Sequence, residues 1–322
     1  MKDFAGKIAV ITGGGTGMGR ELARQLAAEG CNVAMCDVSA TNMSQTRTLC
    51  EADAPQGTRV TTHIADVSDE AAVLRFRDEA AKALDTDRIH LLFNNAGIGG
   101  GGSLVAGERA EWEKTFNVCW GGVYFCTRAF LPLMMAASEG HIVNTSSVNG
   151  FWASIGPGIP HTAYCAAKFA VKGFTEALIT DLAVNAPHIR CSVVMPGHIG
   201  TEIVANSRKI LSGDDSEALT PAQLAAGRRR MAAYGADPAG LSNDDIRAFA
   251  AEQARRFRDD APTTAAQAAT IILDGVKADA WRILVGDDAR HLDTLVRAHP
   301  DEAYAPDFFQ RFAEEVGWKL SV

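Results

Sequence analysis

The chain has 322 residues, 47% of them hydrophobic and 22% charged, a composition typical of a folded globular protein. Lysine and arginine number 31 and aspartate and glutamate 39, and the net charge of −8 disfavours nonspecific binding to nucleic acid or anionic membranes. No uninterrupted apolar run approaches the roughly 18–20 residues of a membrane span, since residues 121–137 are interrupted by Arg128 and Pro132. The amino terminus lacks the apolar core of a secretory signal. We therefore expect a cytoplasmic protein with no membrane span and no nucleic-acid partner.

The cysteines and histidines give no sign of a disulfide framework or a metal centre. Seven cysteines are an odd number and form no C-x-x-C pair, so a complete set of internal disulfides is impossible. Most lie in apolar segments, where a free cysteine acts as a small buried hydrophobe. The eight histidines lack paired metal-binding spacing. We expect no metal site.

The first 200 residues alternate between strand-like and helix-like segments. The segment at residues 21–29 carries Leu22 and Leu26 at helical spacing, and Asp69 and Glu70 place acidic groups at the start of another helix. Short apolar segments predict strands at residues 7–12, 32–36, 58–65, 89–94, 141–145 and 189–195. Strands separated by helices indicate an α/β fold with a doubly wound parallel sheet covered on both faces.

The rest of the chain is predominantly helical. Helix starts are predicted at Thr220, Ser242 and Thr264, and a charged helix at residues 246–260. One more strand is predicted at residues 281–286, and a helix at 307–316. We expect a single domain, residues 1–322, with a helical insertion at 202–262 and a C-terminal helical extension at 287–322.

A glycine-rich turn, T-G-G-G-T-G-M-G at residues 12–19, joins the first predicted strand to the first helix. Such a turn lets the backbone approach a pyrophosphate at the helix amino terminus, although the glycines also fit a simple tight turn. Asp37 ends the second strand, where a carboxylate can accept both hydroxyls of a ribose and repels a 2′-phosphate. An ordinary helix cap is the alternative for Asp37.

These and further motifs resemble the short-chain dehydrogenase/reductase family. The match runs from Gly6 to about Thr201 and resumes at residues 281–286. It is carried by the glycine turn, Asp66-Val67, N-N-A-G at residues 94–97, Asn117, Ser146-Ser147, Y-x-x-x-K at residues 164–168 and P-G-x-x-x-T at residues 196–201. The resemblance implies a Rossmann fold and an oxidoreductase.

The resemblance also implies the catalytic residues. Tyr164 would be the general acid/base, and Lys168, one helical turn away, would lower the pKa of Tyr164 from its usual value of about 10 and bind the nicotinamide ribose. Ser147 would polarise the substrate carbonyl, with Ser146 as the competing serine. Asn117 would sustain a water-linked proton relay to the lysine.

The cofactor residues are implied in the same way, and NAD is favoured over NADP. Relatives that prefer NADP usually carry a basic residue where this chain has the uncharged Thr16 and Val38. The predicted cofactor-binding residues are Gly13, Thr16, Gly17, Met18, Gly19, Asp37, Asp66, Val67, Asn94, Ala96, Gly97, Tyr164, Lys168, Pro196, Gly197, Ile199 and Thr201.

The substrate pocket is where the chain departs from the family pattern. Ser147 and Tyr164 are 17 residues apart, a longer spacing than is usual in the family. His161 and His198 flank the motifs, either as substrate contacts or as ordinary loop residues. The insertion at 202–262 would form a lid over an apolar substrate, with Ile203, Val204, Ile210 and Leu211 on its pocket face; a surface or subunit contact is the alternative.

The expected function is transfer of a hydride between NAD and a secondary alcohol or ketone. The substrate would be a small apolar molecule, and the protein a homodimer or homotetramer. Two alternatives stay open: a non-catalytic dinucleotide-binding regulator on the same fold, and an epimerase or other reductase of the same family. The complete set of predicted catalytic residues argues against the regulator.

Overall fold

The computed structural model describes residues 1–156, 158–213, 219, 221–233, 237, 238 and 240–316. Within these residues, a seven-stranded parallel sheet has the strand order β3-β2-β1-β4-β5-β6-β9. Its strands are β1 (Ile8–Thr12), β2 (Asn32–Asp37), β3 (Val60–Ile64), β4 (Leu91–Asn94), β5 (Gly140–Thr145), β6 (Ile189–Pro196) and β9 (Arg282–Val285). Two further short strands, β7 (Ile199–Gly200) and β8 (Thr263–Thr264), pair with each other.

Helices connect the strands and extend beyond the sheet. Over the described residues they are α1 (Gly17–Ala28), α2 (Ala40–Asp53), α3 (Glu70–Ala83), α4 (Arg109–Phe116), α5 (Gly122–Met135), α6 (Thr162–Asn185), α7 (Ile203–Ser212), α8 (Pro221–Ala233), α9 (Asn243–Asp259), α10 (Ala265–Lys277), α11 (Asp287–Ala298) and α12 (Phe308–Val316). A π-helical turn, Asn117–Gly121, joins α4 to α5.

Both faces of the sheet are buried, as expected for a parallel sheet. Val10 belongs to a hydrophobic cluster with α3, α5 and α6, whereas its neighbours Ala9 and Ile11 belong to a second cluster with α1 and α10. This alternation follows from the strand geometry, which points successive side chains to opposite faces. All seven cysteines lie within the described residues and are free and buried.

The strand predictions and the doubly wound fold are confirmed. The first helix begins at Gly17, four residues before the predicted segment, because the glycine turn leads directly into it. The predicted caps at Ser242 and Thr264 form capping boxes with Asp245 and Gln267, while Thr220 lies outside the described residues. The pair β7 and β8 was missed because two-residue strands leave no periodic pattern.

The segment Arg109–Met135 is the one candidate membrane span found among the described residues by length and composition. Half of its most apolar window is buried inside the protein. It packs against α3, β4 and α6, as a core helix does.

The strand order reverses between β1 and β4, which are neighbours in the sheet and continue in opposite directions from there. At such a point the connections leave to opposite faces and open a crevice beyond the carboxyl ends of the strands. The glycine turn, Asp37 and the N-N-A-G segment all follow strands at this end. The fold therefore brings together motifs that are distant in sequence.

Candidate active site

The glycine turn is shaped by close contacts that leave no room for side chains. Gly13 and Gly17 have φ angles of 68° and 55°, in the left-handed region that favours glycine. A Cβ at Gly19 would lie 2.0 Å from the Gly13 carbonyl oxygen, and one at Gly17 would lie 3.0 Å from Thr201 Cγ2. The turn thus packs against the P-G-x-x-x-T segment and leaves the start of α1 accessible.

A cavity of about 550 Å³ lies at this end of the sheet. Eight predicted cofactor residues line it: Gly13, Thr16, Gly17, Met18, Asp37, Ala96, Gly97 and Thr201. The cavity is also lined by residues that were not among the predicted cofactor residues: Val38, Ser39, Ala40, Thr41, Asn42, Asn95, Asn206 and Lys209. Ile203 and Ile210, predicted for the substrate face of the insertion, also line this cavity.

Asp37 lies at the cavity edge, where β2 ends. Its carboxylate accepts the backbone N–H of Gly15 at 3.0 Å and that of Ser39 at 3.0 Å. The side chain therefore connects the glycine turn to the start of α2. This position makes it available to polar groups of a molecule bound in the cavity.

Two of the predicted cofactor residues are engaged with the protein itself. The Asp66 carboxylate accepts hydrogen bonds from Ser68 and from the Lys114 ammonium. Burial opposes its ionisation, but these donors hold the pKa of Asp66 below its ordinary value. The buried Asn94 amide donates to Thr127 at 3.0 Å and to Asn144 at 2.8 Å. Neither residue is among those that line the cavity, and direct contact of either with a cofactor stays a prediction.

Four further predicted cofactor residues, namely Val67, Pro196, Gly197 and Ile199, are not among the residues that line the cavity. Val67 is buried in the cluster with α3 and α5. The segment from Pro196 to Ile199 leaves β6, and the Asp288 carboxylate accepts its His198 backbone N–H at 2.7 Å. A Cβ at Gly197 would lie 2.3 Å from that carboxylate. Asp288 thereby fixes the path of this loop, a role that sequence reasoning did not identify.

Ser147, Tyr164 and Lys168 converge between β5 and α6. The Ser147 side chain is close enough to Tyr164 to lower its pKa, and the Lys168 Nζ lies 5.4 Å from the centre of the tyrosine ring. The buried ammonium donates to the Thr145 carbonyl at 2.8 Å. Ser146 instead donates to the Lys168 backbone carbonyl at 2.7 Å. Of the two candidate serines, Ser147 therefore faces the tyrosine.

The electrostatics of this group differ from the sequence-based expectation. Burial raises the pKa of Tyr164 above its ordinary value, and the Ser147 side chain opposes that rise. Burial lowers the pKa of Lys168. The predicted net lowering of the Tyr164 pKa by Lys168 is therefore wrong for this structure, because desolvation of the phenol outweighs the other influences.

The structure does not bring the Asn117 side chain into this group. Asn117 begins the π-helical turn and is exposed, whereas Cys119, two residues later, is fully buried. The Cys119 thiol donates to the Ile98 carbonyl at 3.2 Å. A Cβ built on Gly97 would lie 3.7 Å from this sulfur and 3.5 Å from Lys168 Nζ. The predicted relay through Asn117 stays a prediction, and Cys119 is a neighbour that sequence reasoning missed.

The two flanking histidines have different surroundings. The ring of His161 lies 4.7 Å from that of Tyr164 and lines a second cavity of about 510 Å³ with Pro160 and Phe169. His198 is buried, and its ring nitrogen is 2.6 Å from the Phe257 carbonyl oxygen. Of the two, His161 lies where it can contact a substrate, whereas His198 connects the loop after β6 to α9.

Comparison with known proteins agrees with this arrangement. A model of the short chain dehydrogenase family matches residues 7–211. The chain belongs to the short chain dehydrogenase family. This short chain dehydrogenase is 33% identical over 297 residues to SadH of Mycobacterium tuberculosis, covering 92% of each chain. It is 35% identical over 216 residues to levodione reductase of Leifsonia aquatica, covering 66% of this chain and 76% of the relative.

The chain is also similar to solved structures of other proteins that contain a bound dinucleotide. A short chain dehydrogenase/reductase from Burkholderia phymatum in complex with NAD has a TM-score of 0.74 and 30% identity, covering 95% of this chain and 98% of that chain. A metagenomic short-chain oxidoreductase in complex with NADP has a TM-score of 0.53 and 30% identity, covering 60% and 83%. This short chain dehydrogenase is thus an oxidoreductase of a family that binds either dinucleotide.

Proposed function

We propose that the protein uses NAD to oxidise a secondary alcohol or to reduce the corresponding ketone. The observation that carries the proposal is the convergence of Ser147, Tyr164 and the buried Lys168 ammonium between β5 and α6. Two hydroxyl groups that meet in this way can hold one substrate oxygen between them. The levodione reductase relative supports a ketone or alcohol as the substrate.

The cavity fits a dinucleotide. It combines a glycine turn without room for side chains, the accessible start of α1 and the carboxylate of Asp37 at its edge. The turn and the helix amino terminus would hold the pyrophosphate, and Asp37 would accept the hydroxyls of the adenine ribose. A 2′-phosphate at that position would meet a like charge, which favours NAD over NADP.

Three residues, Tyr164, Ser147 and Lys168, have separate roles in the proposed reaction. Bound NAD would supply the hydride acceptor for oxidation, and NADH the hydride donor for reduction. Tyr164 takes the hydroxyl proton of the alcohol or returns it to the ketone oxygen, while Ser147 holds that oxygen by a hydrogen bond. Lys168 would bind the nicotinamide ribose, and its ammonium lies 5.4 Å from the centre of the tyrosine ring.

The pocket favours an apolar substrate. Ile203 and Ile210 of α7 line the dinucleotide cavity, and Pro160 and Phe169 line the second cavity beside His161. We propose that the helical insertion acts as a lid over this region. Exposed apolar side chains on α5 and α6, namely Tyr124, Ile179 and Val184, support a homo-oligomer.

The test is a screen of secondary alcohols with NAD, following NADH absorbance, with Tyr164→Phe as the control variant. We expect oxidation of at least one apolar alcohol by the wild type. The variant keeps the ring but lacks the transferable proton, so we expect kcat to fall by about 10²–10⁴-fold with the affinity for NAD retained. A wild type that binds NAD but turns over no alcohol or ketone would favour the non-catalytic regulator. Equal kcat values in the wild type and Tyr164→Phe would show that Tyr164 is not the general acid/base.

A further inference from the structure

The serine loop, residues 147–156, folds around the side chain of Asn149. The backbone N–H of Asn149 donates to the Ser147 hydroxyl at 3.1 Å. Its side-chain amide donates to the carbonyls of Trp152 at 3.0 Å and Ser154 at 2.7 Å. Asn149 is buried, so water competes little for these bonds. The orientation of Ser147 is therefore linked to the path of the loop as far as Ser154.

Trp152 attaches this loop to the C-terminal extension, whose described part is residues 287–316. Only 1% of the Trp152 surface is exposed. Its ring centroid lies 5.8 Å from that of Phe308, and 6.2 Å from those of Phe309 and Phe312. The indole N–H donates to the Ala303 carbonyl at 2.7 Å. The tryptophan is thus held both by aromatic packing and by a directional bond.

A second hydrogen bond and a shared cluster strengthen this attachment. The backbone N–H of Ala153 donates to the Tyr304 hydroxyl at 3.0 Å. The cluster is distinct from the two that flank the sheet, and it joins two residues of the serine loop to five of the extension: Val148, Trp152, Ala289, Leu292, Ala303, Phe308 and Phe312. Val148 directly follows Ser147, so the cluster reaches the residue next to the predicted catalytic serine.

We propose that the C-terminal extension positions Ser147 for reaction, with Trp152 as the positioning residue and Asn149 as its link to the serine. This inference rests on the proposed function, in which Ser147 holds the substrate oxygen. The physical reason is precision, because a displacement of about 1 Å in a reacting group can lower the rate by about 100-fold. A long loop between Ser147 and Tyr164 needs an external support to keep that precision.

The kinetic test compares Trp152→Leu with Phe76→Leu. Trp152→Leu removes the indole donor and the aromatic packing, whereas Phe76 is equally buried in the cluster against α3 and α5. We expect Trp152→Leu to lower kcat by about 10- to 100-fold with an unchanged KM for NAD. We also expect its pH profile for oxidation to move to higher pH, since the Ser147 side chain lowers the pKa of Tyr164. Phe76→Leu should lower Tm without either kinetic change.

Hydrogen–deuterium exchange of the serine loop supplies a readout that needs no turnover. We expect faster exchange at residues 149–152 in Trp152→Leu than in the wild type or Phe76→Leu, with Trp152→Phe restoring part of the protection. The proposal would be overturned if Trp152→Leu showed the same exchange rates and the same kcat as the wild type. It would also be overturned if Trp152→Leu and Phe76→Leu lost kcat and protection to the same extent. A wild type without activity would refute the proposed function, and the exchange experiment would still decide whether the extension holds the serine.

Discussion

At the residue scale, Tyr164 is the group through which pH acts on the proposed reaction. Burial raises the pKa of its phenol, so the phenol stays protonated to higher pH than a solvent-exposed tyrosine does. Ketone reduction needs the protonated form and alcohol oxidation needs the phenolate. We therefore expect kcat for reduction to be the same at acidic and neutral pH and to fall only at alkaline pH, and kcat for oxidation to increase toward alkaline pH.

The pH prediction has a direct control in Ser147→Ala. The Ser147 side chain lowers the pKa of Tyr164, so its loss raises that pKa further. The rise in the oxidation rate should then begin at a higher pH than in the wild type, in addition to any loss of kcat. Steady-state rates in both directions across pH test this, and oxidation that falls as pH increases from neutral would contradict it.

Asn117 and Cys119 give opposite expectations although both belong to one π-helical turn. The Asn117 side chain is exposed, so we expect Asn117→Ala to change kcat by no more than about twofold, the effect of a surface substitution of about 0.5 kcal/mol. Cys119 bonds the Ile98 carbonyl beside the predicted catalytic residues. Loss of this bond, worth about 0.5–1.5 kcal/mol, should lower kcat by about 2- to 12-fold in Cys119→Ala.

Cys126→Ala is the matched control, since Cys126 is equally buried in the following helix. All three variants are compared by kcat and Tm. If Asn117→Ala loses activity and Cys119→Ala does not, the relay implied by the family resemblance passes through Asn117 after all.

The positions of these two residues illustrate what local sequence can determine. The motif containing Asn117 can be recognised in the sequence. The π-helical turn, however, adds one residue to a helical turn and so changes the direction in which the following side chains point. No hydrophobic period in the sequence identifies that extra residue. By contrast, the one-turn spacing of Tyr164 and Lys168 was sufficient to place both on one side of α6, because that helix is regular.

At the scale of elements, α7 lines the cavity at the glycine turn. The Asn206 amide donates to the Thr16 hydroxyl at 3.1 Å, and Ser207 accepts the Gly99 backbone N–H at 2.8 Å. The helix therefore contacts both the glycine turn and the loop that follows the N-N-A-G segment. Lys209, one turn further along, lines the cavity with a positive charge.

We predict that Lys209 contributes to dinucleotide affinity. Its charge is exposed, and exposed ion pairs are worth about 0.2–1 kcal/mol. Lys209→Gln should therefore raise the Kd for NAD by about 1.5- to 5-fold, with a larger effect at low salt. Titration of NADH fluorescence at two salt concentrations measures this. Lys82→Gln, on the exposed side of α3, is the control, and an equal effect in both variants would assign the change to net charge alone.

The helical insertion shows why element type was easier to predict than element position. The cap signals at Ser242 in the insertion and at Thr264 just after it correctly identified two helix starts, since a cap is a local interaction. Which face α7 presents to the cavity depends on contacts such as Asn206 with Thr16, which are 190 residues apart. Such long-range contacts have no signature in one sequence.

At the scale of the whole molecule, the fold could be predicted from the sequence because the same pattern, a short apolar strand followed by a helix, recurs along the chain. Each strand of the sheet carries a short apolar segment, and the motifs fall at the ends of those strands. The C-terminal extension was also predicted to be helical, but its attachment to Trp152 was not. Phe308 and Phe312 lie one turn apart on α12, which predicts a buried face and leaves its partner undetermined.

The choice of cofactor can be measured on the stability of the entire chain. A ligand that binds only the folded state at 100 times its Kd stabilises that state by about 2.7 kcal/mol. For a chain of this size, about 2 °C of Tm corresponds to each kcal/mol, so saturating NAD should raise Tm by about 5 °C. NADP at the same concentration should raise it much less, because its 2′-phosphate would approach the Asp37 carboxylate.

Asp37→Asn keeps the shape of the side chain but removes the charge, so the two dinucleotides should then give similar shifts. Differential scanning fluorimetry of both proteins provides the comparison. A larger shift with NADP than with NAD in the wild type would rule out the predicted preference.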